Sequence, residues 1–353
     1  MKKIGYILIA AVVLVACSGD PEQWDDKGAP LHLMDVTRAP SGIAISDANE
    51  VQAPIQIFMT TGTKIYEGQF IYTPGVSPAS GTWTSTIGVK DEENYIYGFS
   101  PATAAAGFIE PLTGGATDYS GGAKIKLSNL SAVTGDDVCV VVGVKKVGAN
   151  EIVTPNFGVF KYMRTDDNYI CLLLDHIYAG LDVKCKIGEE YHKLRDIRLK
   201  KVELQAKKTV KDVTITLTAS PTDDDANPNP ISSINYNYET TSNQQSAIYD
   251  YETDTNPDNS TGIILTESGV TILGCFAPDV DIANHLVLKC TYDVYYKGTC
   301  VRENCTATNN LSVINEATVE RGKKSTIVLT VEPTYLYQLS EDELNNPTIT
   351  ISN

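Results

Sequence analysis

The stretch Leu181-Asp182-Val183-Lys184-Cys185-Lys186-Ile187 alternates strictly between apolar and charged residues. An extended chain points successive side chains to opposite faces. The stretch therefore predicts a β-strand with one face on a core and the other face in solvent. Its period is two residues, whereas a helix would repeat its apolar positions every three to four residues. β-structure is the starting hypothesis for the whole chain.

The same two-residue period recurs from residue 30 onward. Ile55–Met59 and Val213–Leu217 alternate, whereas Val138–Val142 is continuously apolar and predicts a strand buried on both faces. Clusters of Gly, Pro, Asn and Asp separate these runs, and such residues favour turns. A single segment, Ser340–Leu344, has the pattern of a capped helical turn. We predict an all-β protein built from β-sandwiches.

The length of the chain and one polar break predict two domains. The 353 residues suffice for two domains of roughly 100–200 residues each. The polar segment Tyr162–Asn168 interrupts the strand pattern, so we predict one sandwich over residues 31–165 and a second over residues 166–353. Residues 220–260, rich in Asp, Asn, Pro, Ser and Thr, predict a long polar loop in the second domain.

The first seventeen residues predict an export signal. A basic start is followed by the apolar run Ile4–Val15, which is too short to span a bilayer. Leu14-Val15-Ala16-Cys17 matches the bacterial lipobox. We expect residues 1–16 to form a signal peptide, Cys17 to carry lipid, and residues 17–30 to be an acidic tether to the outer membrane. The alternative is an ordinary signal peptide with an incidental cysteine.

The charge and the cysteine content restrict the partners and cofactors. The formal net charge is −16, and an acidic surface repels a phosphate backbone, so we exclude nucleic-acid partners. Besides Cys17 there are seven cysteines, an odd and widely spaced set that does not describe a disulfide framework. Cys300 and Cys305 are the candidates for one local disulfide. The sequence contains no two close pairs of cysteines, no added histidines near them and no other spacing typical of a zinc site. We therefore expect no metal site and no cofactor.

Catalytic motifs are absent from the sequence. It contains no Gly-x-Ser-x-Gly elbow, no phosphate-binding glycine loop and no His-Glu-x-x-His. Asp254–Asp258 has the alternating oxygen ligands of a calcium loop, but Asn259 replaces the turn glycine and Leu265 replaces the final glutamate. Asp175-His176 has no nucleophile nearby in sequence, so we expect a hydrogen-bonded, partly buried histidine. We predict that the protein is not an enzyme.

Three segments together resemble the fimbrillin family, the lipoprotein precursors of type V pili in Bacteroidetes. The first is the lipobox and acidic tether, followed by Leu31–Val36 and Thr37-Arg38-Ala39. The second is Leu174–Val183, and the third is Leu329–Leu344. The resemblance extends over the whole chain. Gly180, where the family often has a basic residue, and the stretch 220–260 depart from the family pattern.

The resemblance implies two transthyretin-like sandwiches in a protein of the fimbrium at the cell outer membrane. An arginine-specific protease would cut between Arg38 and Ala39 and release the strand that carries Leu31, Leu33 and Val36. Another subunit would fill the vacated groove by donor-strand exchange. The candidate donor residues are Tyr335, Tyr337, Leu339, Ile349 and Ile351. The implied partners are other pilus subunits and a host or bacterial surface ligand.

Two alternatives remain open at the level of sequence. Family members that act as anchors keep their first strand, so Arg38 could remain uncut. The whole protein could also be a monomeric surface lipoprotein that binds glycan or protein through exposed aromatic residues. Trp83 and the tyrosines of residues 235–251 would form that platform.

Overall fold

A computed structural model describes most of the chain after the predicted tether. The described residues are 28–38, 53–61, 64–75, 81–113, 118–149, 157–158, 160–219, 229–250, 262–278, 286–310, 320–331 and 348–352. Among these residues, no helix has the length and apolar character needed to cross a membrane. The predicted signal peptide, Cys17 and the helical turn at Ser340–Leu344 lie outside the described residues.

Strands dominate the described residues, which confirms the predicted all-β class. A single short helix, α1 (Glu189–His192), follows the alternating stretch that begins at Leu181. The strands are β1 (Ala29–Pro30), β2 (His32–Arg38), β3 (Ile55–Thr61), β4 (Lys64–Thr73), β5 (Thr82–Ser85), β6 (Gly88–Val89), β7 (Glu93–Ser100), β8 (Ala106–Pro111), β9 (Gly122–Leu130), β10 (Cys139–Val147), β11 (Lys161–Met163), β12 (Tyr169–His176), β13 (Ala179–Ile187), β14 (Asp196–Thr218), β15 (Ile231–Asp250), β16 (Ile263–Ile264), β17 (Val270–Ala277), β18 (Leu286–Tyr296), β19 (Thr299–Asn310), β20 (Lys324–Val331) and β21 (Thr348–Ser352).

Three larger sheets organise these strands. The first has the order β2-β12-β10-β7-β3-β4-β5, with β11 paired to β7. The second has the order β19-β18-β14-β9-β8, with β15 and β16 paired to β14, and the third has the order β17-β13-β20-β21. In the third sheet the opening stretch forms β13, whose burial alternates residue by residue as predicted. The short strands β1 and β6 form a separate pair.

Three pairings cross the predicted domain boundary between residues 165 and 166. β12 begins just after the boundary but pairs with β10 and β2, and β9 pairs with β14. The polar segment Tyr162–Asn168, on which the boundary was based, includes the end of β11 and a turn that returns the chain into the same sheet. The buried Asn168 stabilises this turn, because its Oδ1 accepts a hydrogen bond from the Thr165 backbone N at 2.9 Å. The division into two domains stays a prediction.

The long polar loop predicted near residues 220–260 is replaced over much of its length by strand β15. β15 pairs antiparallel along β14, from Ile231 opposite Leu217 to Asp250 opposite Lys201. Ile234, Tyr236 and Tyr238 occupy alternate positions and pack against the main core. Asparagines at the intervening positions gave the segment a loop-like composition, which concealed the period of two. The ladder along β14 supplies partners for the polar backbone of this segment.

Two hydrophobic cores lie between the sheets. The larger one joins all three sheets and includes the apolar face of β13. The smaller one is enclosed by the first sheet together with β6 and the residues before β2. The first sheet is therefore buried on both faces along β10, where Val140 and Val142 face the larger core and Val141 faces the smaller one. This confirms the two-sided burial predicted for Val138–Val142.

Candidate functional site

The predicted removable strand is held in place by the smaller core. Leu31 is fully buried, Leu33 is 5% exposed and Val36 is 8% exposed, whereas Met34 between them is 39% exposed. The three apolar side chains pack in the cluster that contains Phe70, Val89, Ile96, Ile170 and Leu172. The structure thus brings together the residues that the sequence assigned to one face of this strand.

The backbone of β2 forms a parallel ladder at one edge of the first sheet. Its partner is β12, with His32 opposite Tyr169 and Leu33 opposite Ile170. Within the described residues, β2 pairs with no strand other than β12. The His32 N donates to the Asn168 carbonyl at 2.9 Å, and the His32 ring stacks on Tyr169 with centroids 4.8 Å apart. β2 is therefore an edge strand with one buried face.

Arg38 is the last residue of this ladder, and its backbone pairs with Leu174. Ala39, on the other side of the predicted cleavage bond, lies outside the described residues. A protease binds an extended, unpaired segment of its substrate. The C-terminal end of β2 must therefore detach locally from β12 before Arg38 can be cut.

The predicted donor residues lie elsewhere. Ile349 and Ile351 belong to β21, whose backbone pairs antiparallel with Leu329 and Ile327 of β20. β21 is an edge strand of the third sheet, so in a single chain it occupies a site of its own and does not pair with β12. Tyr335, Tyr337 and Leu339 lie outside the described residues.

A cluster of polar side chains surrounds His176 at the end of β12. The His176 Nδ1 lies 2.9 Å from the Asp137 Oδ1 and 3.5 Å from the Cys139 Sγ. On the other side, the Arg321 Nη1 contacts the Asp175 Oδ2 at 2.6 Å and donates to the His176 carbonyl at 2.9 Å. The prediction of a hydrogen-bonded histidine is confirmed, and the residue is almost fully buried.

The cluster does not have the geometry of a catalytic triad. In a triad the nucleophile and the acid contact different nitrogens of the imidazole, so that one accepts a proton while the other donates. Here Asp137 and Cys139 both approach Nδ1, and that single nitrogen cannot do both. Cys139 is also completely buried, so no substrate can reach its sulfur.

Sequence reasoning found His176 but missed its neighbours Asp137 and Cys139. They precede the histidine by 39 and 37 residues, and no local motif joins them. The contact depends on the register in which β10 pairs with β12, where Cys139 lies directly opposite His176. The apolar run that begins at Val138 was a signal for a strand, but it did not identify the partner strand.

The disulfide predicted between Cys300 and Cys305 does not form in the structure. Both residues are free thiols, as are the other five cysteines of the described chain. Cys300 and Cys305 lie on one strand, β19, opposite Tyr295 and Tyr292 of β18. An extended chain advances by about 3.3 Å per residue, so five steps exceed the roughly 7 Å that a disulfide can bridge. A loop over this segment would have allowed the closer approach that a disulfide needs.

This arrangement predicts the reactivity of the thiols. We expect one cysteine of the folded protein, Cys300, to react quickly with a water-soluble thiol reagent at pH 8, because the other six are buried. Burial raises the pKa of Cys275 to about 12 and raises that of Cys305, so few of these thiols are ionised at this pH. Mass spectrometry of the labelled protein measures the number of cysteines that have reacted. The variant Cys300→Ser should abolish the fast reaction. Besides Cys17, all seven cysteines of the unfolded protein should be labelled, and a pair that stays unlabelled would indicate a disulfide.

The aromatic residues of the alternative hypothesis are distributed over two cores. Trp83 packs against the smaller core beside Tyr72, with ring centroids 5.1 Å apart. Tyr236 and Tyr238 pack against the larger core, and the Tyr236 hydroxyl donates to the Ile177 carbonyl. These half-buried rings belong to different cores, and Tyr251 lies outside the described residues, so the platform stays a prediction.

No protein-family model and no curated protein matches the chain. The chain is similar to Bacteroides fimbrial and adhesion proteins. A fimbrial protein from Bacteroides vulgatus ATCC 8482 has 12% identity and a TM-score of 0.45, with 92% of this chain and 98% of that chain covered. A candidate cell adhesion protein from Bacteroides uniformis ATCC 8492 has 11% identity and a TM-score of 0.42, with coverages of 94% and 98%.

A candidate polysaccharide-binding protein from Bacteroides thetaiotaomicron VPI-5482 has 9% identity and a TM-score of 0.35. The similarity covers 89% of this chain and 99% of that chain. At such identities and TM-scores these likenesses carry no functional argument. The features from which a function can be inferred are the edge strand β2 and Arg38 at its end.

Proposed function

We propose that this protein is a fimbrial subunit or adhesin that is made as a surface lipoprotein and assembles by exchange of strand β2. One observation carries the proposal: an edge strand that buries Leu33 and Val36, directly after the buried Leu31, ends at Arg38. Within the described residues β2 is the first strand longer than two residues, so one cut would separate it from the strands that follow. We further propose that Cys17 anchors the precursor to the outer membrane through lipid and that the protein is not an enzyme.

Removal of β2 would expose both unpaired backbone groups and apolar pockets that another strand could occupy. The backbone groups of β12 that now pair with β2 would lose their partners, and an unpaired edge readily recruits another strand. The sites of Leu31, Leu33 and Val36 would open as apolar pockets. Burial of three similar side chains contributes roughly 1.5–3 kcal/mol each, or about 4–9 kcal/mol in all. A strand from another subunit would gain this energy together with the backbone ladder.

The C-terminal segment is the candidate donor. A donor that follows the direction of β2 would run parallel to β12, as β2 does now. Because the contact would join the C-terminal segment of one subunit to the N-terminal sheet of the next, it is heterologous. Such a contact produces an open filament. Tyr335, Tyr337, Leu339, Ile349 and Ile351 supply the apolar residues on this segment.

The first experiment determines the N-terminus of the protein sheared from the surface of its native cells. We expect polymeric material to begin at Ala39, because an intact β2 would keep the acceptor groove filled. A variant Arg38→Lys keeps the positive charge but removes the arginine that the protease would need, and it should remain monomeric with its N-terminus at Cys17. Lys27→Ala, which changes the other basic residue of this region, should behave like the wild type.

A lipidated Cys17 at the N-terminus of sheared polymers would refute strand exchange. Polymers formed equally well by Arg38→Lys would refute it too. Cell-bound monomers that begin at Cys17, with no polymer under any condition, would favour the alternative of an uncut surface lipoprotein.

A further inference from the structure

We propose that Asp137, Cys139 and His176 form a binding site for one zinc ion. Among the described residues, these three form the one group of possible metal ligands that lie close together. Their three ligand atoms are within 4.8 Å of one another. They supply one carboxylate oxygen, one sulfur and one imidazole nitrogen, a donor set that Zn²⁺ binds well. The proposal is independent of strand exchange and of the cleavage after Arg38.

The strand register places the three side chains on one side of the sheet. Cys139 and His176 are direct partners in the antiparallel ladder between β10 and β12. Directly opposite residues have Cβ atoms about 4.5–5.5 Å apart, so their side chains point to a common space. Asp137 precedes Cys139 by two residues, and the ladder continues between them through the bond from the Ile177 N to the Val138 carbonyl. Cys139 and His176 are thus placed by regular strand pairing, and Asp137 lies in the segment that directly precedes β10.

The two distances measured from the His176 Nδ1 are close to those of a tetrahedral zinc site. Zinc lies about 2.0–2.2 Å from nitrogen and oxygen ligands and about 2.3 Å from sulfur, which puts neighbouring ligand atoms roughly 3.3–3.6 Å apart. The separation between the Cys139 Sγ and the His176 Nδ1 is 3.5 Å, and that between the Asp137 Oδ1 and the same nitrogen is 2.9 Å. A side-chain movement of a few tenths of an ångström would open the second distance. Three protein ligands leave the fourth position to a water molecule.

The charges in this region also favour a divalent cation. The side chains of Asp137 and His176 are 7% and 3% exposed, and Cys139 is fully buried. A carboxylate and a thiolate would balance the two charges of Zn²⁺, so the loaded site would be neutral as a whole. The adjacent Asp175 is already neutralised by Arg321. Buried sites tolerate charge only when it is balanced in this way.

Arg321 would support the site from outside. It donates to the His176 carbonyl and also bonds to Asp175, so it fixes the backbone on which the histidine ligand is carried. Groups that orient metal ligands typically change affinity by 10–100-fold when they are removed. Arg321 lies just before β20, so the zinc site would join the first sheet to the third.

Cobalt is the probe, because Co²⁺ enters zinc sites and a thiolate ligand gives it a charge-transfer absorption in the near ultraviolet. We expect the full mature chain to bind one Co²⁺ with this absorption and one equivalent of Zn²⁺ to displace it. Cys139→Ser should abolish the charge-transfer band, and Asp137→Asn should weaken zinc binding at least 10-fold in a chelator competition. Asp137→Asn retains the size of the side chain, so it tests the site even if Cys139→Ser fails to fold.

Two variants serve as matched controls. Cys171→Ser changes another buried cysteine of the same sheet, and His192→Gln changes a half-exposed histidine that contacts Glu267 and Asp196. Both should bind cobalt as the wild type does. The proposal is overturned if the wild type shows no thiolate band at one equivalent of cobalt. Retention of the band in Cys139→Ser, or its loss in Cys171→Ser, would overturn it as well.

Discussion

Replacement of Leu33 by aspartate is expected to release β2 from the sheet without any proteolysis. Leu33 is 5% exposed and packs in the smaller core. An unpaired carboxylate in such a place costs several kcal/mol, because it must lose its hydration or move out to water. The movement out to water requires β2 to detach from β12. If detachment becomes about 3 kcal/mol easier, the detached population rises by roughly 100-fold.

Limited digestion with an arginine-specific protease measures this population. When opening and closing are fast relative to cleavage, the rate of cleavage follows the equilibrium population of the open form. We expect the cut after Arg38 to be about 100-fold faster in Leu33→Asp than in the wild type. Met34→Asp, one residue further along but on the exposed face, should cleave at nearly the wild-type rate. Equal acceleration by both variants would show that β2 is not held by its buried face.

Replacement of Arg321 by alanine is expected to destabilise the fold by about 3–5 kcal/mol. The side chain of Asp175 is 5% exposed, and its Oδ2 lies 2.6 Å from the Arg321 Nη1. Removal of the guanidinium leaves a buried carboxylate without its counter-charge and leaves the His176 carbonyl without its donor. Urea unfolding, followed by tyrosine and tryptophan fluorescence, measures the loss of stability.

Two further variants identify the cause of that loss. Lys323→Ala removes a nearby cation whose pair with Glu320 is half exposed, and such surface pairs contribute about 0–1 kcal/mol. Asp175→Asn in the Arg321→Ala background removes the stranded charge and should recover part of the stability. A loss in Lys323→Ala as large as that in Arg321→Ala would contradict the assignment of the effect to the buried pair.

The all-β class could be predicted because alternation along a strand is a local property. The stretch from Leu181 to Ile187 carries on its own the information that one face is buried, and β13 shows this burial residue by residue. Leu31 and Leu33 before Arg38 follow the same period and lie in the smaller core, whereas Val36 reaches that core after a shift in the register with β12. In these segments the apolar side chains fall on the face of the strand that the fold buries.

The remaining features depend on partners that are distant in sequence. β15 is a strand because β14 offers it an edge, although asparagine and serine disfavour strands by themselves. The cluster around His176 exists because one particular register brings Cys139 opposite the histidine. The polar segment before Tyr169 was interpreted as a boundary, but buried Asn168 makes it a turn inside one sheet. Local patterns contain no information on such pairing.

Strand β14 determines how the molecule would respond to a pulling force. Over Asp196–Ala206 it bonds to β18, and over Val210–Thr218 it bonds to β9, while β15 runs along its opposite edge past the junction. Tension along β14 would therefore be shared among many backbone hydrogen bonds that must shear together, instead of breaking one at a time. A chain of such subunits would stretch as a series of stiff rods, with its compliance concentrated in the joints between neighbours.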